Sequence, residues 1–354
     1  MSAMLCSFSE GFPSNRQLRF GLWSEDDAQW LQLMQQLYNA HAPRLMAPHP
    51  PGEQERIPRI IHHCWLGGEL PPAFAQLIDG WRQLHPTWEM KLWGEDDVAG
   101  LQLKNQQAFD EATNPGMKSD IMRYEILLQH GGVYIDVDFV GLKSLDLFVQ
   151  NLDFFTGLSN TGSVEINNGL IGCCPGHPAL AAVVNAIAAS AATTRSQGVT
   201  AAGGGRQLAA LLGTSALGGF LGASDTTALQ TAVSVSPAQA KGVTGTIIRT
   251  GPGKFTQCVM EYAAQNWNER HRFVVFPPTF FYPVPNTETD ALQHYAFEGF
   301  DGALGAYLSP HSFAVHLWWV LIGLTICISL HLVALRSKSG DMPLLSVARA
   351  RTWE

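Results

Sequence analysis

Asp136 and Asp138 alternate with valine in the run Val133-Tyr134-Ile135-Asp136-Val137-Asp138. Side chains of a strand repeat every second residue, so the two carboxylates are expected on one face, with Cα atoms about 6.5–7 Å apart. That is room for one ion. A hard divalent cation such as Mn²⁺ or Mg²⁺ takes oxygen ligands at about 2.0–2.2 Å and keeps waters and phosphate oxygens in its remaining positions. Asp-x-Asp is also common in exposed strands and turns. The apolar residues around this pair read instead as a buried strand, where like charges two apart need a counter-ion.

Other residues could share the chemistry. Asp120 and Arg123 lie three apart in a helix that Pro115 and Gly116 introduce, so they share a face. Alone, the pair reads equally as a surface ion pair. Gly131-Gly132 would cap that helix and turn the chain into the aspartate strand, which carries both pairs to one pocket. His316 is a candidate to complete a metal or diphosphate shell, since neutral imidazole ligates metals well. His62 and His63 alternate across an earlier strand and read as core histidines. Glycosidases set two carboxyls about 5–9.5 Å apart across the scissile bond, whereas Asp136 and Asp138 leave one strand on one side, which disfavours a hydrolase.

The order S-D-x-x-R-Y-x-x-L-x-x-x-G-G-V-Y-x-D-x-D at residues 119–138 resembles the sugar-binding region of the DXD glycosyltransferases of family 32. That family includes fungal mannosyltransferases and is related to the glucosyltransferase domains of clostridial toxins. The resemblance begins with IPRIIHHCWLGG at residue 57 and continues through Asn167-Asn168-Gly169, Thr250-Gly251-Pro252, Phe281-Tyr282-Pro283 and Val315-His316-Leu317-Trp318. It implies a metal-dependent, retaining transfer of a hexose from a nucleotide-diphosphosugar, GDP-mannose or a UDP-hexose, to a lipid-linked or glycan acceptor such as inositol phosphoceramide. Asp138 would be the direct ligand of Mn²⁺ or Mg²⁺, and Asp136 would also face the ribose and sugar. Asp120 and Arg123 would hold donor-sugar hydroxyls, Trp65 would stack on the nucleotide base, and Asn168 would approach the sugar. Core tryptophan and turn asparagine remain the alternatives for the last two. Relatives follow the histidine with a Ser-Trp pair, where this chain has Trp318 and Trp319. That departure keeps open a catalytically inactive sugar-nucleotide-binding paralogue.

The elements that must position these residues read as an α/β domain. Residues 57–65 and 88–93 are expected strands with a helix at 72–84 between them, a βαβ pattern that implies a mostly parallel sheet. Ligands of such sheets bind outside the carboxyl ends of the strands, where Trp65 and Asp138 fall. With the resemblance, this reads as one Rossmann-like transferase domain of GT-A type over 57–318. Residues 1–56 precede it as a helix, 24–41, and a proline-rich linker. Residues 179–240, dominated by Ala, Gly, Ser and Thr, read as an insertion with helices near 181–192 and 208–221. Strands are expected at 153–158, 165–172 and 273–276.

With 354 residues, 46% hydrophobic, the chain can bury a large core. Its 22 basic against 30 acidic residues give a net charge of −8, so no basic field exists to hold nucleic acid. The 6 cysteines show neither zinc-ligand spacing nor a disulfide framework. Residues 1–20 have no apolar core of a signal peptide. Residues 317–335 are uncharged and about long enough to span a bilayer as a helix; a buried C-terminal helix is the alternative. A single-pass protein of the Golgi or another endomembrane is the resulting expectation. The tail, 336–354, carries Arg336, Lys338, Arg349 and Arg351, which would hold it cytosolic and the catalytic domain lumenal; insertion by the tail with a cytosolic domain is the other arrangement.

Overall fold

The structure, a computed structural model, describes residues 5–12, 25–46, 55–112, 114–197, 246–247, 249–266, 272–286, 288 and 303–318. In chain order the elements are α1 (Glu25–His41), β1 (Ile60–Cys64), α2 (Pro72–Leu84), β2 (Glu89–Trp93), α3 (Val98–Leu101), α4 (Gln106–Glu111), α5 (Pro115–His130) and β3 (Gly132–Ile135). There follow β4 (Phe139–Gly141), α6 (Asp146–Asn151), β5 (Phe154–Leu158), β6 (Ile166–Cys173), α7 (Pro178–Gln197), α8 (Pro252–Asn266), β7 (Phe273–Phe276) and β8 (Ala314–His316). The helix expected at 208–221 lies outside the described residues.

The main sheet has the order β2-β1-β3-β6-β5-β7. β1 runs parallel to β2 and β3, and β5 parallel to β7, while β6 is antiparallel to both its neighbours. Every residue of β3 and β6 is buried, as central strands require, whereas edge strand β2 exposes Glu89 and Leu92. α5 packs on β1 and β3, α8 on β6 and α7, and α1 on β7. Aromatic rings fill the spaces between layers: Tyr124 of α5 stacks on Phe255 of α8 at 5.5 Å, and Tyr38 of α1 meets Phe276 of β7 edge-on at 5.8 Å. Each fully buried ring of this size stabilises the fold by about 1.5–3 kcal/mol.

Two local devices aim the chain at the site. The Asn114 side chain accepts the Met117 N–H at 2.9 Å and caps α5, with Pro115 at its first position. At the other end Gly131 and Gly132 take φ of 64° and 95°, a left-handed turn that side chains disfavour, and so reverse α5 into β3.

The fold expectation needs one correction. Among the described residues no helix is long and apolar enough to cross a membrane. Leu317 and Trp318, placed by hydropathy at the start of a C-terminal transmembrane helix, instead pack within the folded domain. The Leu317 N–H donates to the Asp138 carbonyl at 3.0 Å, and Trp318 has φ 51°, which no right-handed helix accommodates. Its indole N–H donates to the Val284 carbonyl at 3.1 Å. Hydropathy counts apolar residues and is blind to this pairing. Residues 319–335 and the tail lie outside the described residues.

Candidate active site

β1 and β3 are parallel neighbours, so their carboxyl ends open at one edge of the sheet. Trp65 follows β1 there, and Asp136 follows β3. The ladder between β3 and β6 stops at Ile135 opposite Leu170, so Asp136, Val137 and Asp138 form a turn instead of continuing a strand. The Asp136 N–H donates to the Gly169 carbonyl at 2.8 Å, and the Phe139 N–H closes the turn on the Asp136 carbonyl at 3.3 Å. The chain then enters a second, two-stranded sheet in which Phe139 of β4 pairs with His316 of β8. This pairing brings His316 beside the aspartates.

Ligand atoms of Asp136, Asp138 and His316 all lie within 4.8 Å of one another. The His316 Nε2 is 3.3 Å from Asp138 Oδ1, an ion-pair distance without hydrogen-bond alignment, and neither ring nitrogen has a hydrogen bond among the described residues. The ring is held by its faces, stacked on Phe139 at 4.5 Å and met edge-on by Tyr282 at 5.7 Å. A buried imidazole without a hydrogen bond, beside two carboxylates, suits a divalent cation taking one nitrogen and carboxylate oxygens.

Arg123 joins this cluster to Asp120. Its guanidinium lies 3.2 Å from Asp136 Oδ1 and 3.3 Å from Asp120 Oδ1, and it donates to the Asn168 carbonyl at 2.9 Å and to Ser119 Oγ at 3.0 Å. It also lies over the Tyr134 ring, 4.5 Å from its centroid. The Tyr134 hydroxyl donates to Asp136 Oδ1 at 2.7 Å. Asp120 is held from the other side, by Asn168 Nδ2 at 2.8 Å and Thr250 Oγ1 at 2.9 Å. Burial pushes the Asp120 carboxyl up to about 6, against the pull of Arg123. Burial likewise raises Asp136, with Arg123 opposing and Asp138 reinforcing. When Asp120, Asp136 and Asp138 are all ionised, Arg123 cancels one charge and leaves two negative charges, the complement of one divalent cation.

Trp65 packs on Phe74 with ring centroids 5.4 Å apart, and its buried indole N–H has no acceptor among the described residues. Asn168 spends its amide nitrogen on Asp120 and on the Tyr124 hydroxyl, both at 2.8 Å. The structure therefore gathers Asp120, Arg123, Asp136, Asp138, Asn168 and His316 into one connected group, with Trp65 at the same sheet edge. Tyr134 and Thr250 went unremarked in the sequence as polar members of this group. Tyr134 stands two residues before Asp136, and that even spacing is the signal that marks it; Thr250 opens the Thr250-Gly251-Pro252 motif, which placed it in the resemblance without a role. His62 and His63 are core residues: burial lowers them to about 3 and about 4, and each ring bonds a backbone carbonyl, of Gly131 at 2.9 Å and of Ile135 at 2.7 Å.

Gly169 is required by close approach. A Cβ there would stand 2.6 Å from Asp136 Oδ2 and 2.9 Å from Asn167 Oδ1. The Asn-Asn-Gly motif is thus a backbone shelf under Asp136.

Comparison with known proteins agrees with this geometry. Residues 71–155 match the family described as glycosyltransferase sugar-binding region containing DXD motif. Inositol phosphoceramide mannosyltransferase 1 of Schizosaccharomyces pombe is 30% identical over 137 residues, which cover 37% of this chain and 42% of that protein. Mannosyl phosphorylinositol ceramide synthase SUR1 of Saccharomyces cerevisiae is 30% identical over 136 residues, 37% of this chain and 35% of the relative. The matched region spans less than half the length of either relative. Among solved structures, the UDP-bound glycosyltransferase domain from the YGT toxin superposes with a TM-score of 0.43 and 12% identity, covering 82% of this chain and 93% of that one. The matched segment contains Asp120, Arg123, Asp136 and Asp138, and over it this chain is similar to glycosyltransferases whose sugar-binding region carries a DXD motif.

Proposed function

We propose that the protein moves a hexose, with mannose from GDP-mannose the leading case and a UDP-hexose the alternative donor, to a hydroxyl of an inositol-phosphate lipid or a glycan, using Mn²⁺ or Mg²⁺. The observation that carries this reading is the cluster of Asp136, Asp138 and His316 joined through Arg123 to Asp120. Transfer breaks the bond between the anomeric carbon and the diphosphate and forms one to the acceptor oxygen, so negative charge collects on the departing nucleoside diphosphate. Asp136, Asp138 and His316 would hold a divalent cation, which would supply Lewis-acid neutralisation of that charge. The chain's own groups do the rest. Arg123 and Tyr134 hold Asp136 in place, Asp120 accepts a hydroxyl of the hexose, and Trp65 offers a flat face for the base and an indole N–H without an acceptor among the described residues. The lipid acceptor is favoured by the names of the two fungal relatives.

The test is a donor screen with Mn²⁺ that scores release of nucleoside diphosphate from GDP-mannose, UDP-glucose and UDP-galactose, followed by acceptor trials with inositol phosphoceramide. Turnover is expected with one donor class, lost in excess EDTA and lost in Asp138→Asn, which removes an anionic ligand at constant volume. Turnover unaffected by EDTA would refute the metal role. Tight sugar-nucleotide binding without release or transfer would leave a binding protein in place of an enzyme.

A further inference from the structure

Thr250 lies far along the chain from the helix of Asp120, yet its side chain ends on that carboxylate. It is 3% exposed, and its hydroxyl is 2.9 Å from Asp120 Oδ2 against 3.3 Å from the Thr246 carbonyl, so its proton serves the carboxylate better. The backbone around it is fastened at both ends: its N–H donates to the Thr246 carbonyl at 3.0 Å, and its own carbonyl accepts the Tyr124 hydroxyl at 2.8 Å. Asn168 Nδ2 bridges the same Tyr124 hydroxyl and Asp120 Oδ1 at 2.8 Å each. Tyr124, Thr250, Asp120 and Asn168 thus close a ring of hydrogen bonds among buried groups.

That ring leaves Asp120 with little freedom. An ionised carboxylate offers about four acceptor positions. On Oδ1 one faces Asn168 and one faces Arg123, and on Oδ2 one faces Thr250. Among the described residues one position is left, on the oxygen that Thr250 holds. We infer that Thr250 is a positioning residue for donor recognition: it fixes the rotation of the Asp120 carboxylate so that its remaining acceptor position on Oδ2 meets one hydroxyl of the donor hexose and discriminates against the epimer. The inference rests on the donor reading proposed above. A site built to pair a particular hydroxyl rejects a ligand that misplaces it, because its buried polar group is then left unsatisfied. Without the Thr250 hydroxyl, Oδ2 gains a second open position and the carboxylate can turn.

The test compares wild type, Thr250→Val, which keeps the shape and removes the hydroxyl, and Thr250→Ser, which restores it. Calorimetry with Mn²⁺ measures affinity for GDP, UDP, GDP-mannose, UDP-glucose and UDP-galactose, and donor hydrolysis gives KM and kcat. Thr250→Val is expected to weaken the accepted sugar nucleotide by about tenfold, to leave the bare nucleoside diphosphate unchanged, and to narrow the preference between C4 epimers; Thr250→Ser restores all three. Equal weakening of sugar nucleotide and bare diphosphate, unchanged affinity for both, or failure of serine to restore binding would overturn the positioning role while wild type remains active. Wild type that binds and hydrolyses none of these donors would overturn the donor reading, and this inference with it.

Discussion

Replacing Arg123 with methionine separates the charge balance of the site from its packing. Methionine keeps an apolar stem over the Tyr134 ring, 4.5 Å from the guanidinium carbon, but removes the cation shared by Asp120 at 3.3 Å and Asp136 at 3.2 Å. The Arg123 side chain is only 6% exposed, so water does not take its place. Removing one partner of a buried ion pair costs about 3–5 kcal/mol. At roughly 2–4 °C per kcal/mol for a domain of a few hundred residues, the melting temperature at pH 7.5 in EDTA should fall by about 6–20 °C. The loss should shrink with acid. Burial already holds Asp120 up at about 6 and raises Asp136, and without Arg123 both take up protons at still higher pH and shed the uncompensated charge. Scanning calorimetry at pH 7.5 and 5.5 measures both effects, and a cycle with Asp120→Asn should return a coupling of about 0.5–3 kcal/mol. A melting temperature within about 2 °C of wild type at pH 7.5, or an equal loss at both pH values, would show that Arg123 does not compensate these carboxylates.

Two further outcomes follow from buried groups. Glu165 is buried beside the Ser159 hydroxyl at 3.0 Å, and burial raises it from 4.5 to about 7; its contribution to stability is therefore full below pH 4.5 and is lost as pH rises through 7, by about 3 kcal/mol at about 1.36 kcal/mol per pH unit. Glu165→Gln should flatten the decline in melting temperature between pH 5 and 7.5, and parallel curves for variant and wild type would contradict this. In Gly169→Ala the new methyl meets Asp136 Oδ2 at 2.6 Å, so kcat should drop by about a hundredfold through displacement of the carboxylate while stability falls by only about 1–3 kcal/mol; wild-type turnover would refute the shelf.

Features set by local chemistry were legible in the sequence. The bounds of α2 and β7 match their expected ranges, because apolar periodicity and flanking prolines act within a few residues. The cap at Asn114 and the reversal at Gly131 and Gly132 are likewise local. Asp136, Asp138 and His316 were legible as candidate ligands by residue type, but their geometry was not. Two aspartates in alternation look alike in a strand and in a turn, and what ends β3 before Asp136 is the length of its ladder with β6, a partner far along the chain. The same limit hid the reversed direction of β6 within an otherwise parallel set and the bond from Thr250 to Asp120. Leu317 and Trp318 read as membrane-spanning because apolar content does not record that one N–H is already bonded to Asp138.

The pairing of β4 with β8 orders events in the life of the molecule. Every other residue of the connected site is synthesised well before Ala314–His316, the last described strand. Contacts of such long sequence separation form late, since the intervening loop must close first. A nascent chain can therefore fold the sheet edge that holds Trp65, Asp120, Arg123 and Asp136 while His316, the third member of the candidate cation site, is still absent. The candidate cation site is then completed in a single late step, when β8 docks and the Leu317 N–H reaches Asp138. A chain cut ahead of β8 keeps Asp120, Arg123 and Asp136 at the sheet edge but lacks the imidazole of the candidate cation site.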